Sequence, residues 1–313
     1  MRRHHLIIQY GLIILLFSMM IFLWNNQKIT ISDQVIVESS EGERIQLMIP
    51  EAKVRLFDLP EKISFAGEPV PLNKADVFER FEREIYVNAY WQSNMILMMK
   101  RSAKFLTTIE KILRDQNVPD DFKYLVAAES GFMNVVSPAG ARGFWQIMPA
   151  TAKEYGLEVS SDVDERYHVE KATIAACSYL KSSFANFGNW TSVAASYNMG
   201  ISGLKRRKNE QMLQNYYELY LNDETSRYIF RVLAFKEIFE DPEKYGFEMN
   251  KSEFYKDPLF RELKVTQSIP SLAQWALRHN STYKDLKNHN PWLRSSKLDV
   301  KKGKEYFIKL PVN

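Results

Sequence analysis

With 313 residues, 45% of them hydrophobic and 26% charged, the chain is long enough for about two globular domains and a further segment, and its composition excludes a disordered or collagen-like polymer. A single cysteine, Cys177, excludes an intramolecular disulfide, and no His or Cys spacing suggests a metal site. The net charge of +4 is modest but uneven: Lys251 to Asn313 holds 13 Lys and Arg against 6 Asp and Glu. That basic tail is either a solvated face or a surface for an anionic polymer.

At the N-terminus, Arg2 and Arg3 precede Leu6 to Trp24, an apolar run without an acidic or basic side chain. Such a run is long enough to span about 30 Å of hydrocarbon, and the positive flank places the N-terminus in the cytoplasm. The expectation is a single-pass membrane anchor over residues 1–24 with the remainder in the periplasm. A cleaved signal peptide is the alternative, although the run ends in bulky Phe22, Leu23 and Trp24 with no small-residue cleavage site. An exported chain would not meet nucleic acid, so none is expected as a partner. Residues 25–73 hold two β-rich pieces, Gln34–Val37 and Arg44–Ile49, punctuated by Pro50, Pro60, Pro69 and Pro71, and read as a linker.

From Lys74 the pattern turns helical. Val77, Phe78, Phe81 and Ile85 share one face, and two more helical runs reach Arg114. Pro119, Asp120 and Asp121 then open a further helix, with Pro at its first position and acidic residues at the positive end of the dipole. Phe122, Leu125, Val126 and Glu129 follow at i, i+3, i+4 and i+7, and Gly131 stops the helix. The spacing aims one carboxylate at the core side from the last helical turn. Desolvation and the negative end of the dipole both disfavour its ionised form, so its pKa is expected to rise. A carboxylic acid kept protonated near neutral pH is what a general acid for glycoside cleavage needs.

Farther on, Ala172, Ala175, Ala176, Tyr179, Leu180, Phe184 and Phe187 mark a buried helical face that takes in Cys177. The last section resembles neither linker nor bundle. Lys264–Gln267 reads as a strand, Ser268 as the cap of a helix bearing Leu272, Trp275 and Ala276, Tyr283–Asn288 as a second helix, and Glu305–Leu310 as a closing strand.

Four segments in order carry a resemblance: Glu129-Ser130 with Phe132; Ser137 through Gly140, Gly143 and Gln146 to Met148; Ala195 with Tyr197, Asn198 and Gly200; and Glu224-Thr225 with Tyr228. Together they resemble the lytic transglycosylase (SLT) family, most closely its membrane-bound murein transglycosylase D group, over roughly residues 95–247. The C-terminal strand–helix–helix–strand pattern, with Asn290-Pro291 and Leu293, resembles a LysM module, but Gln267-Ser-Ile-Pro270 replaces the usual Gly-Asp-Thr. The resemblance implies a mainly α, lysozyme-like catalytic domain over 74–250 and a small α+β LysM-like module over 254–313. It implies peptidoglycan glycan strands as the partner and no cofactor or metal.

It also assigns roles. Glu129 would protonate the bond between N-acetylmuramic acid and N-acetylglucosamine, then deprotonate the C6 hydroxyl to close a 1,6-anhydro ring. Ser130, Gln146, Tyr197 and Asn198 would bind substrate, and Tyr228 would reach Glu129 through its hydroxyl. Gly140 and Gly143 would allow close backbone approach. Two alternatives stay open: a goose-type lysozyme using water, with Asp162 or Asp164 as its second carboxylate, and an inactive peptidoglycan-binding protein.

Overall fold

The computed structural model describes residues 34–38, 44–48 and 56–312, so the expected anchor at Leu6–Trp24 lies outside the described residues. Among them, no helix is long and apolar enough to cross a membrane. The chain divides into two compact units, Met1–Leu56 and Phe57–Asn313. In the first, β1 (Gln34–Glu38) pairs antiparallel with β2 (Arg44–Met48), Val35 facing Leu47 and Val37 facing Ile45.

The second unit is mainly helical, with a small α+β region at its C-terminal end. The expected linker over 25–73 ends early, because residues 57–72 pack on the helices. β3 (Ser64–Phe65) and β4 (Glu68–Pro69) form a tight hairpin whose turn residues, Ala66 and Gly67, both take positive φ. Phe65 is fully buried with its ring edge-on to Phe122, and Val70 and Leu72 join the same core. Glu68 accepts hydrogen bonds from the backbone of Trp190 and Thr191, at 2.6 and 2.9 Å. These are free N–H groups at the start of a helix, where a carboxylate is stabilised by the dipole.

Three helices follow, α1 (Ala75–Tyr90), α2 (Gln92–Ser102) and α3 (Leu106–Asp115), then the short α4 (Lys123–Ser130) and α5 (Pro149–Glu154). α6 (Val169–Phe187), α7 (Trp190–Met199), α8 (Ile201–Gln211) and α9 (Asp223–Glu240) complete the bundle. α9 is the axis. Its buried residues, including Tyr228, Phe230, Leu233 and Ile238, leave little of its circumference for solvent, as expected of a helix inside a bundle. It packs on α1, α4 and α7, which brings the C-terminal ends of α4 and α7 to one side.

The α+β region pairs β5 (Phe260–Val265) antiparallel with β6 (Tyr306–Pro311), and α10 (Leu272–Arg278) and α11 (Tyr283–His289) cover it. The first strand begins at Phe260, four residues before the sequence suggests. Ser271, not Ser268, caps α10 by accepting from Gln274 N–H, while Ser268 accepts from Val300 N–H at 2.9 Å. A serine at either place satisfies the pattern of a cap, and only the β5 end point decides between them.

This region is not a passenger. Val163 and Tyr167, which belong in sequence to the helical part, are buried in its core beside Leu293, Trp292 and Ile308. The segment 158–170 runs along it: Asp164 N–H donates to Trp292 O at 2.9 Å, and Arg294 N–H to Asp162 O at 2.7 Å. Glu158 accepts from Tyr306 and Lys304, and Glu170 pairs with Lys309. Deleting residues 259–313 should therefore uncover two apolar side chains worth about 1.5–3 kcal/mol each, lowering the melting temperature of the remainder by roughly 10 °C. Calorimetry of the shortened chain checks this, and an unchanged melting temperature would show that the region only hangs on.

Candidate active site

The site is built where α4 stops. A single turn of 3-10 helix, Asp120–Phe122, leads into α4, and Pro119 stands just before that turn instead of at a first helical position. Gly131 ends the helix in the left-handed conformation, φ 57°, with its N–H donating to Ala127 O at 3.1 Å. Glu129 thus occupies the last turn, turned toward α9. Burial is the main cause that raises its pKa, to about 7; Glu224 adds to the rise, while the Tyr228 hydrogen bond and Arg231 oppose it. Tyr228 donates its hydroxyl to Glu129 Oε1 at 2.5 Å. Burial and the charge of Glu129 push the Tyr228 hydroxyl well above its ordinary range, so it serves as a donor throughout.

What holds Tyr228 there is a buried charge. Glu84 on α1 is 1% exposed and accepts from Arg227 Nε and Arg83 at 2.7 Å each, with Arg231 Nε 3.8 Å from its other oxygen. A lone buried carboxylate would be costly, and the arginines of α9 compensate it. The pairing fixes the rotation of α9, so that Glu224, Tyr228 and Arg231 present to the end of α4.

α7 supplies the facing wall. Tyr197 donates to the backbone oxygen of Trp145 at 2.7 Å, and burial raises its hydroxyl pKa strongly. Asn198 is engaged on both sides, its Nδ2 donating to Glu224 Oε1 at 3.1 Å and its Oδ1 accepting from Thr225 Oγ1 at 2.7 Å. Ser130 is buried, and its hydroxyl donates back to Val126 O at 3.2 Å. That is the bond of a serine at a helix end, so the structure brings Glu129, Tyr197, Asn198 and Tyr228 together and leaves the Ser130 hydroxyl on its own helix.

Gln146 comes from the loop between α4 and α5. Its backbone is left-handed, φ 46°, an uncommon state for a residue with a side chain. Its Nε2 donates to Gly143 O at 2.7 Å and Val135 O at 3.1 Å, which orients the amide oxygen away from those carbonyls. With Tyr155, Tyr179, Tyr197 and Asn198 it lines a cavity of about 240 Å³. Gly143 allows the loop to sit close: a Cβ there would stand 1.9 Å from Arg166 O. Gly140 has φ 87° but nothing within 4 Å, so it serves the turn and not a close approach.

Asp162 and Asp164 are used elsewhere. Asp164 is paired with Arg166 at 2.8 Å and 2.9 Å, and Arg166 in turn donates to Gly140 O and Ile147 O. Asp162 accepts from Asp299 N–H. Asp164 thus holds the 140–147 loop through Arg166, and Asp162 holds the C-terminal region. Sequence reasoning gave Glu224 no role beyond its place in a motif, and missed Arg231 and Glu84. The signal for the first two was their placement four before and three after Tyr228 on one helix face; nothing local marked Glu84. Among the described residues, no group of three His, Cys, Asp or Glu side chains is placed to hold a metal ion.

Comparison with known proteins gives matches to two domain families. Residues 107–220 match the Transglycosylase SLT domain, and residues 261–313 match the Soluble lytic transglycosylase C-terminal LysM-like domain. Membrane-bound lytic murein transglycosylase D of Escherichia coli K12 is 30% identical over 152 residues, 47% of this chain and 34% of that protein, and its counterpart in strain O6:H1 gives the same values. The chain thus spans about a third of the length of these curated relatives. Among solved structures, an inactive mutant of lytic transglycosylase Slt from Pseudomonas aeruginosa is 16% identical with a TM-score of 0.36, covering 60% of this chain and 37% of that one. The chain carries a transglycosylase SLT domain followed by a C-terminal LysM-like domain.

Proposed function

We propose that this protein is a peptidoglycan lytic transglycosylase with a lysozyme-like catalytic domain, acting on the bond between N-acetylmuramic acid and N-acetylglucosamine without consuming water. The observation that carries the proposal is Glu129: a carboxyl desolvated until its pKa is about 7, with a tyrosine hydroxyl 2.5 Å from one oxygen. Such a group holds its proton at neutral pH and can give it to the glycosidic oxygen as the C1–O bond breaks. The substrate's acetamido group supports the charge at C1, in the manner of substrate-assisted glycosidases. Glu129, now ionised, is steadied by Tyr228 and takes the proton from the C6 hydroxyl, whose oxygen closes on C1. One bond forms for the one broken, and the product is a 1,6-anhydro sugar.

Gln146 offers its free amide oxygen to the sugar, Tyr197 and Asn198 frame the cleft, and Ser130 supports the helix end. Asp162 and Asp164 hold the loop and the C-terminal region, so neither serves as the second carboxylate of a hydrolase. The LysM-like region adds affinity for glycan strands. Leu6–Trp24 anchors the chain, with the catalytic domain in the periplasm; the relatives' name, membrane-bound, supports this placement.

Mass spectrometry of digested sacculi tests the reaction. The products should end in 1,6-anhydro-N-acetylmuramic acid, and Glu129→Gln should lower turnover by roughly 10²–10⁴-fold. Reducing ends labelled from heavy-oxygen water would instead make the enzyme a hydrolase, with Glu224 the carboxylate to examine.

The pH dependence has a defined sign. Activity should hold below pH 7 and fall above it as Glu129 loses its proton. The raised pKa means that the stability associated with neutral Glu129 is complete below the ordinary carboxylate range and is lost as pH rises through about 7. Glu129→Gln should therefore gain in melting temperature over the parent as pH rises from 5 to 8. Tyr228→Phe removes a bond that favours the ionised form, so its alkaline limb should move to higher pH while its maximal rate drops. A limb that stays in place would mean that Tyr228 does not act on Glu129.

Protease added to spheroplasts should remove the catalytic domain and leave a small N-terminal fragment in the membrane. A mature chain beginning beyond Trp24 would overturn the anchor.

A further inference from the structure

The two helices at the start of the bundle meet in an exposed elbow. α1 ends at Tyr90 and α2 begins at Gln92, with Trp91 between them at φ −85° and ψ 58°. The thirteen residues from Val87 to Met99 carry no charged side chain. Val87, Tyr90, Trp91, Ile96 and Leu97 are between 37% and 60% exposed, Trp91 the most. Folded chains mostly bury tryptophan, and apolar side chains gathered at a surface mark a place of binding. The elbow precedes residues 107–220, so the SLT match assigns it no role.

Its place in the fold decides what it meets. Glu84, Val87 and Trp91 stand at i, i+3 and i+7, on one side of α1. Glu84 is the buried end of that side, gripping Arg227, whose neighbour Tyr228 reaches Glu129 at 2.5 Å. Trp91 lies about 10 Å farther along the same axis, in solvent. On α2, Leu97 comes one turn before Arg101, whose Nε donates to Gly131 O at 3.0 Å. Met98 lies against Gly131 as well, where a Cβ would stand 3.3 Å from its Cε. Both helices are thus fixed to the end of α4, and the elbow that joins them is within reach of a few sugar rings from Glu129.

We propose that this elbow is a stacking platform for sugar rings of the glycan strand beyond the bond being cut, with Trp91 at its centre. Long strands are then favoured over short ones. The identity of the ligand rests on the transglycosylase reading above; the platform rests on the elbow's exposure, its lack of charge and its attachment to the end of α4. A pyranose ring has a neutral face of C–H bonds that lies flat on an aromatic ring. Its rim carries hydroxyl and acetamido oxygens able to accept from an indole N–H, and among the described residues that of Trp91 is left for a ligand. The flanking cations are engaged, Arg83 with Glu84 at 2.7 Å and Lys100 over the Tyr255 ring, which suits a neutral ligand better than an anionic membrane.

The test measures binding apart from cleavage, on the full chain carrying Glu129→Gln. Glycan strands stripped of peptide and sorted by length are titrated by calorimetry beside a tetrasaccharide. The long strand should bind about tenfold more tightly, and Trp91→Ala should remove most of that gain. Trp91→Tyr, which keeps an aromatic face, should retain it. Because the contact is neutral, the part of the affinity lost in Trp91→Ala should be the same at low and high salt. Trp91 is exposed, so its replacement leaves the core intact, and an unchanged melting temperature checks this. A length gain untouched by Trp91→Ala, or a loss in Trp91→Tyr as large as in Trp91→Ala, would overturn the proposal. So would an emission shift on adding phosphatidylglycerol vesicles that Trp91→Tyr abolishes, which would make the elbow a membrane contact. A Trp91-dependent gain in binding, with no 1,6-anhydro ends from the parent enzyme, would instead count against the transglycosylase reading alone.

Discussion

Everything at the site depends on keeping the Glu129 carboxyl out of water. An ordinary glutamate at the end of a helix would be ionised and useless as an acid at neutral pH. Here burial raises the pKa to about 7, against the opposing pull of Tyr228 and Arg231. The balance matters in both directions. Desolvation alone would make a poor base of the same group, and the tyrosine hydrogen bond at 2.5 Å favours the ionised form that the second half of the proposed reaction needs. In the proposed reaction one carboxyl serves as acid and base in turn.

That environment is assembled from distant parts. α9 must present Tyr228 to α4, and its rotation is set by Glu84 pairing with Arg227 and Arg231. Arg231 also acts on Glu129 directly, so the helix that Glu84 holds carries both the tyrosine and a cation that favour the ionised carboxylate. On the opposite wall, Arg166 links Asp164 to the carbonyls of Gly140 and Ile147, and so fixes the loop that carries Gln146 in its left-handed conformation. The segment 158–170 that bears Arg166 is itself seated on the C-terminal region. The LysM-like domain is therefore coupled to the loop that carries Gln146 through hydrogen bonds and a shared core, in place of a flexible tether.

The sequence by itself determined whatever depends on near neighbours. The apolar spacing through Phe122, Leu125 and Val126 and the stop at Gly131 placed Glu129 in a last helical turn facing the core, because periodicity and a left-handed cap are local properties. The order of the motifs likewise exposed the SLT domain, and the alternation of Tyr306, Ile308 and Leu310 gave the closing strand. Tertiary structure decided which side chains meet. Tyr228 and Glu129 are 99 residues apart, and no spacing rule reports such a pair. Glu84 looked like any polar residue on an amphipathic helix until three arginines closed around it. Residues 57–72 read as a proline-rich linker because their few apolar side chains have no period, yet Phe65 and Glu68 fit a pocket and a helix end made by others. Asp162 and Asp164 could be assigned to catalysis or to structure with equal ease from the chain alone. Tertiary contacts, which no local spacing reports, commit both to structure: Asp164 pairs with the buried Arg166, and Asp162 accepts from Asp299 N–H in the C-terminal region.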